Sequence, residues 1–320
     1  MSRRVVVTGG AGLVGSHLCE RLLQNGDEVI CVDNFSTGDR RNVEPLASLD
    51  AFTLLTHDIA QPLHLEGPLD LVLHFASPAS PVDYLRLPLE TLRAGSTGTE
   101  TALELARHKR ARFLLASTSE VYGDPEIHPQ HEEYWGNVNP IGPRSVYDEA
   151  KRYGEALTMA YRRVHGVDTG IIRIFNTYGP RMRAEDGRAI PTFIWQALNE
   201  LPLTVAGDGS QTRSTCYVDD LVEAVLLMAA SDLPGPVNLG NPEEISMIDL
   251  AHRIRDAVGS PSPIVFTPRP VDDPNVRRPD ITKAKELLGW TPSFDLGYGL
   301  KSTIEWFRQQ AEGANRPAGL

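Results

Sequence analysis

Tyr147-Asp148-Glu149-Ala150-Lys151 places a phenol and an ammonium at i and i+4. On a helix these two side chains share one face. A tyrosine titrates near about 10, too high for a base at neutral pH. A neighbouring cation favours the phenolate, and Tyr147 beside Lys151 would then take a proton from a substrate hydroxyl. Taken alone, such a pair is also a common solvated arrangement on a helix surface. A second polar cluster, Ser117-Thr118-Ser119-Glu120, follows an apolar run. Thr118 is placed to hydrogen-bond the same hydroxyl. Glu120 either pairs with one of the many arginines as an ordinary loop carboxylate or enters the pocket and faces the substrate.

Side chains of these types need a scaffold, and the first residues supply one. Val5-Val6-Val7 runs into glycines at 9, 12 and 15, and a periodic apolar segment follows. The pattern predicts a buried strand, a tight turn and a helix start, where free N–H groups and the positive dipole end suit a pyrophosphate. The expected cradle takes in Gly9, Gly12, Leu13, Val14 and Gly15. A second strand, Glu28–Val32, runs into Asp33, an acidic residue at the distance that meets ribose hydroxyls. A carboxylate there repels a 2′-phosphate and favours NAD over NADP, although Arg40 and Arg41 lie close by. Asn34, Phe35, Thr37 and Gly38 continue the cofactor loop. Asp58 and Ile59 follow a third strand, Phe52–Thr56, and Ala76 follows the continuous apolar run Leu69–Phe75. With such a cofactor, Tyr147 and Lys151 form its catalytic edge.

The remaining segments alternate strand with helix, which predicts an α/β fold with a Rossmann-type doubly wound parallel sheet. The expected elements are a helix over Gly12–Asn25, a long helical stretch over Leu87–His108, a strand over Arg112–Ser117, a helix over Ser145–His165 and a strand over Asp168–Phe175. After Asn176 the chain becomes rich in proline, glycine and arginine. Helices are expected near Pro191–Asn199, Val218–Ala230, Met247–Val258 and Thr282–Leu288, and Ala311–Leu320 as a loose tail. The domain reading is a dinucleotide lobe over 1–176, with part of 210–240 returning to it, and a smaller irregular α/β substrate lobe over 177–320. The long helices near 87–108 and 145–165 offer a homodimer contact.

The 320 residues carry a net charge of −11, which gives no electrostatic reason to bind nucleic acid. Cys19, Cys31 and Cys216 have no metal-ligand spacing and read as reduced structural thiols. No apolar run approaches the ~18 residues of a membrane span, and no signal peptide is evident. The expectation is a cytoplasmic protein without a metal and without a membrane partner.

Over about residues 4–310 the chain resembles the extended short-chain dehydrogenase/reductase superfamily, and within it the UDP-glucuronate decarboxylase (UDP-xylose synthase) family. The resemblance rests on Pro78-Ala79-Ser80-Pro81, on Leu114 through Pro125, and on Tyr134-Trp135-Gly136-Asn137-Val138-Asn139-Pro140-Ile141-Gly142. Arg173 through Met182, Asp186-Gly187-Arg188, Gln211-Thr212-Arg213 and Arg277-Arg278-Pro279-Asp280 add to it. It implies tightly bound NAD and a nucleotide-sugar substrate, oxidised at carbon 4, decarboxylated and reduced again to UDP-xylose. It also implies that Ser119 and Glu120 line the reacting end, with Arg277 as carboxylate contact or proton donor. Pro78, Ser80, Tyr84 and Val205 match substrate positions, and Asn176, Arg188 and Arg213 match positions that hold the diphosphate. Three departures stand out: Ala206 where an aromatic residue is usual, Thr215-Cys216 in place of an aromatic-glutamine pair, and Val146 in place of cysteine. They put strict uracil preference in doubt and predict a mixed output, with UDP-4-keto-xylose beside UDP-xylose. A 4-epimerase and a 4,6-dehydratase are the alternatives. Ser119 is a poor acid for the dehydratase step, and the intact Tyr147, Lys151 and Thr118 speak against a non-enzymatic NAD sensor.

Overall fold

The computed structural model describes residues 2–269 and 276–314. In chain order the first half contains β1 (Arg4–Thr8), α1 (Leu13–Gln24), β2 (Glu28–Asp33), β3 (Phe52–Thr56), β4 (Leu71–His74), α2 (Pro81–Arg86), α3 (Pro88–Arg93), α4 (Thr99–Lys109), β5 (Arg112–Thr118), α5 (Ser145–His165) and β6 (Thr169–Ile174). The second half contains β7 (Thr177–Tyr178), α6 (Ala189–Leu198), β8 (Leu203–Ala206), β9 (Thr212–Ser214), β10 (Cys216–Tyr217), α7 (Val218–Ala230), β11 (Val237–Leu239), β12 (Glu244–Ser246), α8 (Met247–Val258), β13 (Ile264–Thr267), α9 (Thr282–Leu288) and α10 (Leu296–Ala314).

Seven strands form one parallel sheet in the order β11-β6-β5-β4-β1-β2-β3. Both faces are covered, so the strands read as near-continuous apolar runs. Side chains alternate between the faces. Val5 and Val7 pack with Leu18 and Leu22 of α1 and Leu221 of α7, whereas Val6 packs with Leu103 and Ala106 of α4. The strand order turns back between β1 and β4. The crevice beyond their carboxyl ends is where a doubly wound sheet places its ligand. The late strand β11 pairs with β6 of the main sheet, while β8–β13 and β9–β12 pair outside it.

The expected boundaries of β3, α5, α7, α8 and α9 coincide with those found. The expected helix over 87–108 is more complex. It is preceded by α2, and a wide π turn at Ala94–Gly98 separates α3 from α4. At that turn a Cβ on Gly95 would stand 2.6 Å from the Ala150 Cβ, so glycine lets α5 pack close. The expected loose tail is corrected over 311–314, which belong to α10, a helix with no counterpart in the expected elements. Leu300, Ile304 and Phe307 recur at helical spacing and bury one face of α10. Residues 315–320 lie outside the described residues.

Candidate active site

The sheet's carboxyl edge opens onto a cavity of about 590 Å³ that runs from Gly9 to Arg213. β1 delivers the chain into Gly9, whose φ of +70° and approach to the Ala76 backbone leave no room for a Cβ. A Cβ on Gly15 would drive into the Gly9 carbonyl, so α1 starts tight against the turn. Its first turn carries no acidic side chain, which leaves the helix dipole open to an anion. At the end of β2, Asp33 accepts the Ala11 N–H at 2.9 Å and the Phe35 N–H at 2.8 Å. Burial nevertheless pushes its carboxyl above the ordinary range. A Cβ on Gly38 would stand 2.8 Å from an Asp33 oxygen, so only glycine lets this loop close over the carboxylate. Asn34, Thr37, Asp58, Ile59 and Ala76 line the same end of the cavity.

At the other end, Tyr147 and Lys151 on the first turns of α5 meet Thr118 at the end of β5. The Lys151 ammonium donates to the Ala116 carbonyl at 2.8 Å and lies 5.8 Å from the Tyr147 ring centroid. Burial lowers Lys151 to about 8. Burial also pushes the Tyr147 phenol up, to about 12, and the nearby Glu120 charge adds to this; a hydrogen bond with Thr118 and the charge of Arg188 oppose it. Lys151, expected to depress the phenol together with a cationic nicotinamide, anchors its ammonium on the strand through one of its three donors. Tyr84 from α2 stacks on Tyr147 with centroids 5.2 Å apart and rings nearly parallel. Its buried hydroxyl has no hydrogen-bond partner among the described residues.

Glu120 occupies the short turn Ser119–Tyr122 between these groups. Arg144 donates to it at 2.6 Å, and both terminal nitrogens of Arg277 donate to it as well. Burial opposes its ionisation, but the charges and hydrogen bonds of Arg277 and Arg144 prevail and hold the carboxyl at about 2. Asp148 lies one residue beyond Tyr147, and one of its buried oxygens has no hydrogen-bond partner among the described residues. Burial and the Glu120 charge raise it to about 7.

Ser119, Pro78, Asn176, Arg188 and Arg213 also line the cavity. Ser80 does too, but its hydroxyl caps α2, accepting the Asp83 N–H and donating to the Asp83 carboxylate at 2.8 Å. Two expected residues are placed elsewhere. Val205 is fully buried in the core, because strand alternation turns Thr204 and Ala206 to the cavity instead. Phe35 packs against the core beneath the Arg40 guanidinium, 4.5 Å from its ring centroid. Among the departures, Ala206 and Thr215 line the cavity, whereas Cys216 is buried. Arg144 and Asp148 escape the sequence reading. The one available signal was their position, three residues before Tyr147 and one after it on the same helix.

A model of the NAD dependent epimerase/dehydratase family matches residues 5–240. The chain belongs to that family. Within it, UDP-glucuronic acid decarboxylase 2 of Arabidopsis thaliana is 53% identical over 97% of this chain and 69% of its own length. UDP-glucuronic acid decarboxylase 1 of Danio rerio is 51% identical over 97% of this chain and 74% of its own. Among solved structures, UDP-glucuronic acid 4-epimerase from Bacillus cereus, in complex with UDP-glucuronic acid and NAD, superposes with a TM-score of 0.85. It is 28% identical and covers 96% of this chain and 99% of its own. The family's NAD suits the residues present. The glycine cradle that a Cβ would fill and the buried Asp33 beside Gly38 fit a dinucleotide with a free ribose 2′-hydroxyl. No helix among the described residues is long and apolar enough to cross a membrane.

Proposed function

We propose that this protein decarboxylates UDP-glucuronic acid through a 4-keto sugar to UDP-xylose, with NAD as a resident cofactor. The observation that carries the reading is Glu120, a buried carboxylate gripped by two arginines, in the cavity that holds the Tyr147–Thr118 pair. The decarboxylases at 51–53% identity support it. Bound against Gly9–Gly15 and Asp33, NAD supplies the hydride acceptor for the first half of the cycle and the donor for the second. Tyr147 removes the carbon-4 hydroxyl proton while Thr118 orients that hydroxyl. The resulting ketone is β to the carbon-6 carboxylate, so loss of carbon dioxide leaves an enolate that is protonated at carbon 5. Arg277 faces the leaving carboxylate, and Arg188 and Arg213 offer guanidinium forks to the diphosphate. Ser119 and Glu120 line the reacting end.

Ala206 and Thr215 leave the far end of the cavity without an aromatic ring at those positions. On that ground a mixed output is expected, with some UDP-4-keto-xylose released. The two lobes divide near residue 176, and β11 and α7 count with the first. A homodimer through the surfaces of 87–108 and 145–165 is supported by the exposed Leu89, Leu92 and Tyr153 on adjacent helices. A cytoplasmic location is supported by three free, buried thiols.

The test is incubation with UDP-glucuronic acid without added NAD, followed by NMR of the products. UDP-xylose and carbon dioxide are expected, with a minor keto-pentose signal. UDP-galacturonic acid would replace this reading with the 4-epimerase, and pure UDP-xylose would remove the mixed output.

A further inference from the structure

Glu120 has more cations than it needs. Its side chain is 14% exposed, and those of Arg144 and Arg277 are 16% and 6% exposed. One carboxylate is therefore shared by two guanidiniums in one buried corner of the cavity. Arg144 comes from the start of α5, Arg277 from the segment that follows residue 275, and Glu120 from the end of β5. Among the described residues, Asp148 and Tyr147 from α5 and Tyr84 from α2 also face Glu120, and none of these three carries positive charge. The triad thus holds one positive charge in excess. A single cation would have satisfied Glu120.

We propose that Arg144 is a positioning residue for the decarboxylation site, the counter-ion that keeps Glu120 compensated when Arg277 turns to the substrate carboxylate. Arg277 is bidentate to Glu120 and also reaches the Gly123 carbonyl at 3.4 Å. It cannot grip a second carboxylate with the same fork without loosening the first. Were it the sole partner, that exchange would strand a buried anion, at a cost that weakens substrate binding. Arg144 holds one Glu120 oxygen throughout, so Arg277 changes partners while Glu120 stays ionised. No proton moves in this exchange. The inference rests on the decarboxylase reading above, since it needs a substrate carboxylate.

The experiment uses the NAD-loaded protein, titrated calorimetrically with UDP-glucuronic acid and with UDP-glucose, which lacks the carboxylate. Each titration is run at pH 6.5 in two buffers of different ionisation enthalpy. The wild type is expected to bind UDP-glucuronic acid with little proton exchange. Arg144→Gln is expected to lose about 10-fold or more in affinity for UDP-glucuronic acid, change little towards UDP-glucose, and take up close to one proton on binding the acid. Arg144→Lys, which restores the charge, is expected to recover much of the affinity and to abolish the proton uptake. Proton uptake should persist when Asp148→Asn is combined with Arg144→Gln, which assigns it to Glu120.

Equal weakening of both nucleotides in Arg144→Gln, or no proton uptake, would overturn the proposal and reduce Arg144 to a structural staple. If Arg144→Gln does not fold, Arg144→Lys decides. A lysine variant as impaired for the acid as for UDP-glucose counts against the charge role. Failure of the underlying reading looks different, because the wild type itself would then show no preference for the acid over UDP-glucose.

Discussion

Replacing Glu120 by Gln keeps the shape of the side chain and removes its charge. The folded protein holds this carboxyl at about 2, against an ordinary value of 4.5. A depressed pKa of this size corresponds to about 3 kcal/mol of stability at neutral pH. The sign is fixed by the direction of the shift. The folded state binds the proton less readily than the unfolded chain, so the contribution is complete above about 4.5 and is lost as pH falls through the folded value. By pH 3.5 about 1 kcal/mol of it should be gone. Glu120→Gln should therefore be about 3 kcal/mol less stable than wild type at pH 7, with two buried guanidiniums left unneutralised. The gap should narrow to about 2 kcal/mol at pH 3.5. Urea unfolding of both proteins at fixed concentration, followed by circular dichroism, measures it. A gap below about 1 kcal/mol at pH 7, or one that does not change with pH, would refute the view that this ion triad is a strongly coupled buried unit. On the catalytic side, the same variant should still bind UDP while releasing carbon dioxide more slowly, read as evolved carbon dioxide per NAD-loaded site. Unchanged turnover would return Glu120 to a purely structural role.

Tyr147→Phe removes the hydroxyl to which we assign the carbon-4 proton, and should lower turnover by about 10²–10⁴-fold. A single-turnover absorbance trace at 340 nm should show no NADH, and a normal burst would show that another group is the base. Gly15→Ala forces a Cβ into the Gly9 backbone, and should strip NAD from the purified protein, measured by extraction and absorbance. Retention of stoichiometric NAD in that variant would show that the turn and α1 can separate without harm. Asp148 has a raised pKa, so its buried carboxyl penalises the folded state increasingly from about pH 4 to 7. Asp148→Asn should raise the melting temperature at pH 8 and have little effect near pH 4, as scanning calorimetry would show; equal shifts at both pH values would contradict the assignment.

The parts of the site that were legible in the sequence are those built from short-range spacing. Val5–Val7, the glycines at 9, 12 and 15, and Asp33 lie within one strand–helix–strand unit, so their relation follows from local geometry. Tyr147 and Lys151 sit on one helix, and their common face follows from its period. Two expected residues, Val205 and Phe35, do not line the main cavity, for reasons of phase rather than of type. In β8 the choice between Val205 and its neighbours depends on which face of the strand meets the cavity, and the core took Val205. Phe35 sits in a loop whose backbone turns through a positive φ of 58°, and that turn is not written in the residue types around it. The triad was out of reach for a different reason. Glu120 and Arg277 are 157 positions apart, and only the assembled crevice reveals that Arg144 shares Glu120 with Arg277. The α10 helix was missed because its pattern of Leu300, Ile304 and Phe307 is spread through a polar segment and declares itself only against the lobe that it covers.

Spacing alone does not set the electrostatics of the Tyr147–Lys151 pair. The i and i+4 relation suggested that Lys151 lowers the Tyr147 phenol, yet the ammonium is tied to the Ala116 carbonyl and the phenol stands at about 12. Burial dominates because both groups lie in the same closed corner, where it disfavours the charged form of each. It lifts Tyr147 and lowers Lys151, so two values that start close together move apart, and both groups are held towards their neutral forms. Glu120 compounds the effect on the phenol, since its negative charge opposes a second anion nearby. The same carboxylate is compensated by Arg144 and Arg277, so its influence on Tyr147 depends on where those guanidiniums point. The arginine exchange proposed above would thereby reach Tyr147 as well as the substrate carboxylate. On that proposal the two ends of the reaction, proton removal at carbon 4 and carbon dioxide loss at carbon 6, would be coupled through one buried charge.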